Sequence, residues 1–289
     1  MPPPTVLTDV LDALHHDRSL RRFFSLLWRF GRETAAGNHA LRRSFFRTAL
    51  GLALLTGALD GLLWWLSPGE GALLITLSGA FWLAAVLLVT FFQLGLFCTE
   101  DGRPLLRLGL PNELTLARIA LMPPVFNLVV RHDEFPELRT SLIVAFALLA
   151  VSDVLDGFLA RRLRLESVFG RVVDPVSDML FNSMVALSLT LAGALPWWLL
   201  LLVWARYFVP LVGGYYLFLT RGPFRIHATG VGKASGFVLG VLLGGSLIER
   251  FHPGTFPPWL LSGLLWTCTA LLVVNVGYAL VVGVRTARN

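Results

Sequence analysis

The chain has 289 residues, 55% of them hydrophobic and only 15% charged, a balance that excludes an ordinary soluble globular domain and points to lipid as its solvent. Its formal charge of +6 rests on arginines clustered beside hydrophobic runs, with a single lysine, so membrane topology accounts for it and no nucleic-acid partner is expected. Cys98 and Cys268 are far apart, with neither a CxxC spacing nor a His at ligand distance, which excludes a disulfide framework and a zinc site.

Residues 1–47 mix arginines with large apolar side chains. The stretch LRRFFSLLWRFGRETAAG reads equally as an amphipathic helix lying on the membrane or as a cytoplasmic tail, and a cleaved signal peptide is not expected. Apolar runs follow at 48–66, 72–97, 114–130, 140–157, 172–194, 197–219, 234–249 and 259–283, predicting eight crossings. Backbone amides exposed to lipid must pair internally, so these long runs predict helices rather than barrel strands. SPGEG, AGALP and HPGTFPPW supply turns between them. Starting inside and crossing eight times leaves only Arg131, Arg139 and Arg250 among the loop residues outside, as the excess of cytoplasmic basic residues requires. The polar connection CTEDGRPLLRLGLPNE predicts a boundary near residue 100, dividing a two-helix extension over 48–100 from a core over 101–289.

The chemistry concentrates in DVLDGFLARRLRLESVFGRVVDPVSD, which runs from Asp153 to Asp178. Asp153 and Asp156 share one helical face, Asp174 and Asp178 share another, and a hairpin between the two helices would bring the pairs together near the inner face of the membrane. Four carboxylates close together beside hydrocarbon repel one another unless protonated or paired with cations. Oxygen ligands without His or Cys favour Mg2+ or Mn2+, and two such ions sharing aspartates would neutralise a diphosphate. Gly157 and Ala160 leave room either for a ligand or for close helix packing, and Gly170 either for close approach to Asp174 or for helix entry. Arg161, at the polar end of its run, reaches a phosphate or the membrane surface. Asp60 has no acidic companion, the histidines form no ligand spacing and are expected at surfaces or interfaces, and Trp64-Trp65 and Trp197-Trp198 read as span-end anchors.

Asp153, Asp156-Gly157, Ala160-Arg161, Gly170, Asp174 and Asp178 match the pattern D-x2-D-G-x2-A-R-x8-G-x3-D-x3-D, so the chain resembles the CDP-alcohol phosphatidyltransferases. LPNELTLARIALMP, with Pro111, Asn112, Thr115 and Arg118, is similar to the start of that family's first core helix, in particular in bacterial phosphatidylglycerophosphate synthases. The resemblance implies an all-α, polytopic membrane protein, here a six-helix core with two N-terminal transmembrane helices added. It also implies a homodimer in the bacterial cytoplasmic membrane with its site facing the cytoplasm. The implied activity is divalent-metal-dependent transfer of a phosphatidyl group from CDP-diacylglycerol to a polar alcohol, with release of CMP.

By the same resemblance Asp153, Asp156, Asp174 and Asp178 are the metal ligands, and Asp178 is also the candidate general base. Gly157, Ala160, Arg161, Asn112, Thr115 and Arg118 are expected on the donor side. Arg206, an arginine inside an apolar run, and Arg221, Arg225 and Lys233 are the candidates for binding the acceptor, with glycerol 3-phosphate expected and inositol phosphate or inositol as alternatives. TGVGKASG keeps Gly232-Lys233 but lacks the second basic residue and the threonine of the GKxKT pattern, and Met179 stands where the glycerophosphate enzymes commonly carry lysine. Two readings of a different class remain, a membrane transporter and an inactive membrane scaffold. The first requires substrate movement without CMP, the second no metal-dependent donor binding.

Overall fold

A computed structural model describes residues 20–66, 69–99, 102–163, 167–221 and 230–288; within its helices the side chains of Asp153, Asp156, Ala160, Arg161 and Arg221, among others, lie outside the description. The described chain is helical: α1 (Leu20–Gly37), α2 (His39–Leu66), α3 (Glu70–Phe92), α4 (Leu110–Val130), α5 (Arg139–Leu163), α6 (Val168–Leu191), α7 (Trp197–Arg221), α8 (Gly230–Phe251) and α9 (Pro258–Arg288). Single 3-10 turns occur at Leu94–Leu96 and Pro136–Leu138, and an isolated bridge pairs Cys98 with Pro104. Among the described residues seven helices, α2, α3, α4, α6, α7, α8 and α9, are long and apolar enough to cross a membrane. α5, which covers the fourth of the eight expected spans, carries Asp153 and Asp156 and is not one of those seven. The protein is therefore all-α and polytopic.

Large apolar side chains such as Trp65, Phe81, Phe237 and Trp259 are 74–78% exposed, which is stable only if hydrocarbon covers them. α4 differs from the other spans. Buried residues make up 56% of its apolar stretch, against 11% for α9, so α4 is a core helix.

The chain divides into two compact units, Met1–Val125 with Leu148–Leu180, and Phe126–Ala147 with Phe181–Asn289. In the first unit, α2 begins at His39, nine residues before the apolar run predicted to start at 48. The reason is a cap. Asn38 Oδ1 accepts from the Leu41 amide at 3.0 Å, satisfying one of the donors a helix start leaves open, so the polar turn LRRSFFR winds onto the span. The same Asn38 donates through Nδ2 to the Leu105 carbonyl at 2.8 Å, tying the helix start to the connection that precedes α4. α1 packs on α3 through Trp28, whose ring meets Phe92 at 4.9 Å, and Gly31 lets the helices close, since a Cβ there would stand 2.7 Å from the Phe91 carbonyl oxygen.

In the second unit, α9 packs on α7 and α8, with Trp198 stacked on Trp266 at 5.8 Å. The turn after α8 is built on Gly254, at φ 86, and on Glu249, whose carboxylate accepts from the Gly254 and Phe256 amides at 2.7 and 3.0 Å. His132, expected at a surface or interface, is instead buried against Phe251, 5.3 Å between ring centres, with Nδ1 3.0 Å from the Val129 carbonyl oxygen.

Candidate active site

α4 and α6 carry matching rows of polar residues. Asn112, Thr115 and Arg118 recur every three residues along α4, and each meets a successive turn of α6. At the first rung Ser167 caps α6: its Oγ accepts from the Gly170 amide at 3.0 Å and donates to Asn112 Oδ1 at 3.1 Å. Asn112 is itself fixed by donating to the Leu108 carbonyl at 2.5 Å. Gly170 fits closely there, since a Cβ would lie 3.0 Å from Asn112 Oδ1 and 3.3 Å from Ser167 Oγ and would need one of them to shift.

At the second rung Thr115 Oγ1 lies 3.2 Å from the Pro111 carbonyl oxygen and 3.4 Å from Asp174 Oδ1, so two acceptors share its one hydroxyl proton. At the third, Arg118 donates through Nε to Ser177 Oγ at 3.1 Å, and its Nη2 lies 3.7 Å from Asp178 Oδ1. Arg118 is 2% exposed and Ser177 fully buried, whereas the Asp178 side chain is 46% exposed. Burying a guanidinium is costly unless carboxylates and hydroxyls receive it, so this rung fixes both position and charge. A buried cation thus lies at ion-pair distance from Asp178, whose own side chain stays about half exposed.

The start of α6 has a second anchor. Its first amide, that of Val168, donates to the Cys98 carbonyl at 3.0 Å, and Phe169 stacks on Phe97 with centroids 4.2 Å apart. The Cys98 side chain is buried, and burial pushes its thiol pKa up, as suits a structural filler.

Of the residues predicted from sequence, Asn112, Thr115, Arg118, Gly170, Asp174 and Asp178 come together in the first unit. Asp153, Asp156, Gly157, Ala160 and Arg161 lie on α5; Gly157 is half-buried, and the other four side chains lie outside the described residues. Among the described residues no three His, Cys, Asp or Glu side chains gather as a metal site, a set that does not include Asp153 and Asp156. The donor set fits a hard divalent cation all the same: Asp174 and Asp178, four residues apart on one helix, offer carboxylate oxygens, and no His or Cys stands with them.

Arg206 belongs to the second unit. Its Nη1 donates to Ser235 Oγ and its Nη2 to the Gly232 carbonyl at 3.0 Å, while its guanidinium lies 5.4 Å from the centre of the Tyr207 ring. Gly236 makes the room, since a Cβ there would sit 3.0 Å from Nη2. Arg206 therefore ties α7 to the first turn of α8, where Lys233 is exposed. The Arg221 side chain and the whole of Arg225 lie outside the described residues. Sequence reading missed Ser167 and Ser177. Ser167 carried a signal, a serine three residues before Gly170 at a helix start; Ser177, inside a helix, carried none.

Residues 108–279, more than half of the chain, match the model of the CDP-alcohol phosphatidyltransferases. Over 101 residues the chain is 41% identical to a cardiolipin synthase (CMP-forming) of Streptomyces coelicolor, a stretch covering 34% of this chain and 46% of that protein. Over 111 residues it is 31% identical to a CDP-diacylglycerol--glycerol-3-phosphate 3-phosphatidyltransferase of Bacillus subtilis, covering 35% and 57%. Over 142 residues it is 35% identical to a protein of Mycobacterium bovis described as a cardiolipin synthase, covering 47% and 66%. The chain thus spans about half to two thirds of the length of these relatives. No solved structure matches it. With its aspartate motif on α5 and α6 inside the matched residues, the chain belongs to the CDP-alcohol phosphatidyltransferase family.

Proposed function

We propose that this protein transfers a phosphatidyl group from CDP-diacylglycerol to an alcohol and releases CMP. The observation that carries the reading is the third rung: a reachable Asp178 backed by a buried Arg118, one helical turn beyond an Asp174 held by Thr115. The oxygen set Asp153, Asp156, Asp174 and Asp178 would hold one or two divalent cations, Mg2+ or Mn2+, which when bound neutralise the donor diphosphate. Asp178 takes the proton of the acceptor hydroxyl as its oxygen forms a bond to the lipid-linked phosphorus. The bond from that phosphorus to CMP breaks, and CMP leaves with the electron pair. Ser177 anchors Arg118, whose guanidinium lies at ion-pair distance from the Asp178 carboxylate, so the two position rather than react. Gly157, Ala160 and Arg161 would take the cytidine and phosphate side of the donor.

Glycerol 3-phosphate is the acceptor proposed first, with Arg206, Arg221, Arg225 and Lys233 as the cations for its phosphate. Inositol phosphate and inositol remain alternative polar acceptors. The relatives favour a further reading, because two of those above are described as cardiolipin synthases and this chain lacks the full GKxKT pattern. A cardiolipin carries two phosphatidyl groups on one glycerol, so its acceptor is itself a lipid alcohol. The distribution of arginines supports a multi-pass protein of the bacterial cytoplasmic membrane with the site on the inner side; a homodimer is proposed on the family resemblance alone. Purified protein given CDP-diacylglycerol and one acceptor at a time decides among these. A phosphorylated lipid product with glycerol 3-phosphate supports the first reading; cardiolipin formed only with phosphatidylglycerol replaces it with the second.

A further inference from the structure

α2 and α3 lie outside the residues matched by the family, yet both hold the helix that lines the site. α4 contains Pro123 and Pro124. In a regular helix the carbonyl of Ile119 receives the amide of residue 123, and proline has none to give. Trp82 of α3 fills that place: its Nε1 donates to the Ile119 carbonyl at 2.7 Å. Three residues earlier on the same face of α3, Gly79 is buried against the proline ring, where a Cβ would meet Pro124 Cγ at 3.3 Å. In hydrocarbon no water can satisfy an orphaned carbonyl, so the indole hydrogen bond offsets the one that Pro123 removes. α2 grips the other end of α4. The Leu108 amide donates to Ser44 Oγ at 3.2 Å, and Thr48 Oγ1 lies 3.1 Å from Glu113 Oε1.

We propose that the N-terminal helices are a positioning element for the site, with Trp82 as its decisive residue: it supplies the hydrogen bond that Pro123 denies to Ile119 and so holds Asn112, Thr115 and Arg118 in register with α6. The catalytic half of this inference rests on the phosphatidyl-transfer reading; the structural half does not.

A double-mutant cycle on the full-length protein in lipid nanodiscs tests both. Trp82→Phe keeps the ring and removes the donor; it is expected to lower the thermal midpoint and to cut CMP release roughly tenfold. Pro123→Ala restores an amide to the Ile119 carbonyl, so in that background Trp82→Phe should change turnover less than twofold and shift the midpoint much less than it does in the parent. Trp82→Phe costing the same with and without Pro123, or costing nothing in the parent, overturns the proposal. Should the Pro123→Ala protein fail to fold, the Trp82→His variant, which retains a ring N–H, decides: partial recovery over Trp82→Phe supports the proposal and equal loss overturns it. A parent protein that releases no CMP would refute the transferase reading, while the thermal midpoints still judge the hydrogen bond.

Discussion

In the proposed mechanism Asp178 stands between two demands, since it must be positioned by Arg118 and yet reach an acceptor hydroxyl. Its 46% side-chain exposure beside a guanidinium that is almost wholly buried meets both. Asp178→Asn keeps the size of the side chain and removes the proposed base. It should therefore lower turnover by at least a hundredfold while weakening donor binding much less, as read by CMP release and by titration with a CDP-donor analogue. Equal and complete loss of both would reassign Asp178 to donor binding. Gly170 offers a sharper steric test. Gly170→Ala drives a methyl against Asn112 and Ser167, and should cost about 1–3 kcal/mol in stability together with most of the turnover. Gly240→Ala on α8, where a Cβ meets nothing within 4 Å, should do neither, and thermal midpoints of the two variants measured side by side check the contrast.

At the scale of elements, the start of α6 is the part on which the site depends. Ser167→Ala removes both the cap on Gly170 and the donor to Asn112, and should destabilise by about 1 kcal/mol, whereas Ser167→Thr should retain most of both. The measurement is a thermal midpoint paired with turnover, and a threonine variant as damaged as the alanine one would remove the cap from the account. Much of this was legible in sequence. Seven of the eight apolar runs coincide with helices long and apolar enough to span, and the resemblance of LPNELTLARIALMP to the family's first core helix singled out Asn112, Thr115 and Arg118 on α4. What stayed hidden has physical causes. The seam of α3 through Ala72, Ile75, Gly79 and Leu83 lies on a helix apolar all round, so hydrophobicity could not mark which side packs. The start of α2 at His39 depended on a cap bond and on no change in composition. The partners of Ser177 and Trp82 lie 59 and 37 residues away, distances over which periodicity carries no information.

For the whole molecule, the family accounts for residues 108–279 and the described helices add α1, α2 and α3 before it. Their bonds to residues 105, 108, 113 and 119 make them part of the unit that carries Asp174 and Asp178, so the chemistry and the N-terminal helices should be lost together on unfolding. The central claim is that carboxylates of α6 serve phosphatidyl transfer. Its most direct test follows labelled CDP-diacylglycerol in nanodiscs holding the parent protein or Asp174→Asn, with and without a chelator. The account predicts CMP and labelled product lipid in equal amounts from the parent, abolished by the chelator and by Asp174→Asn. Transfer that survives the loss of Asp174, or a folded parent that releases no CMP with any acceptor, would contradict it.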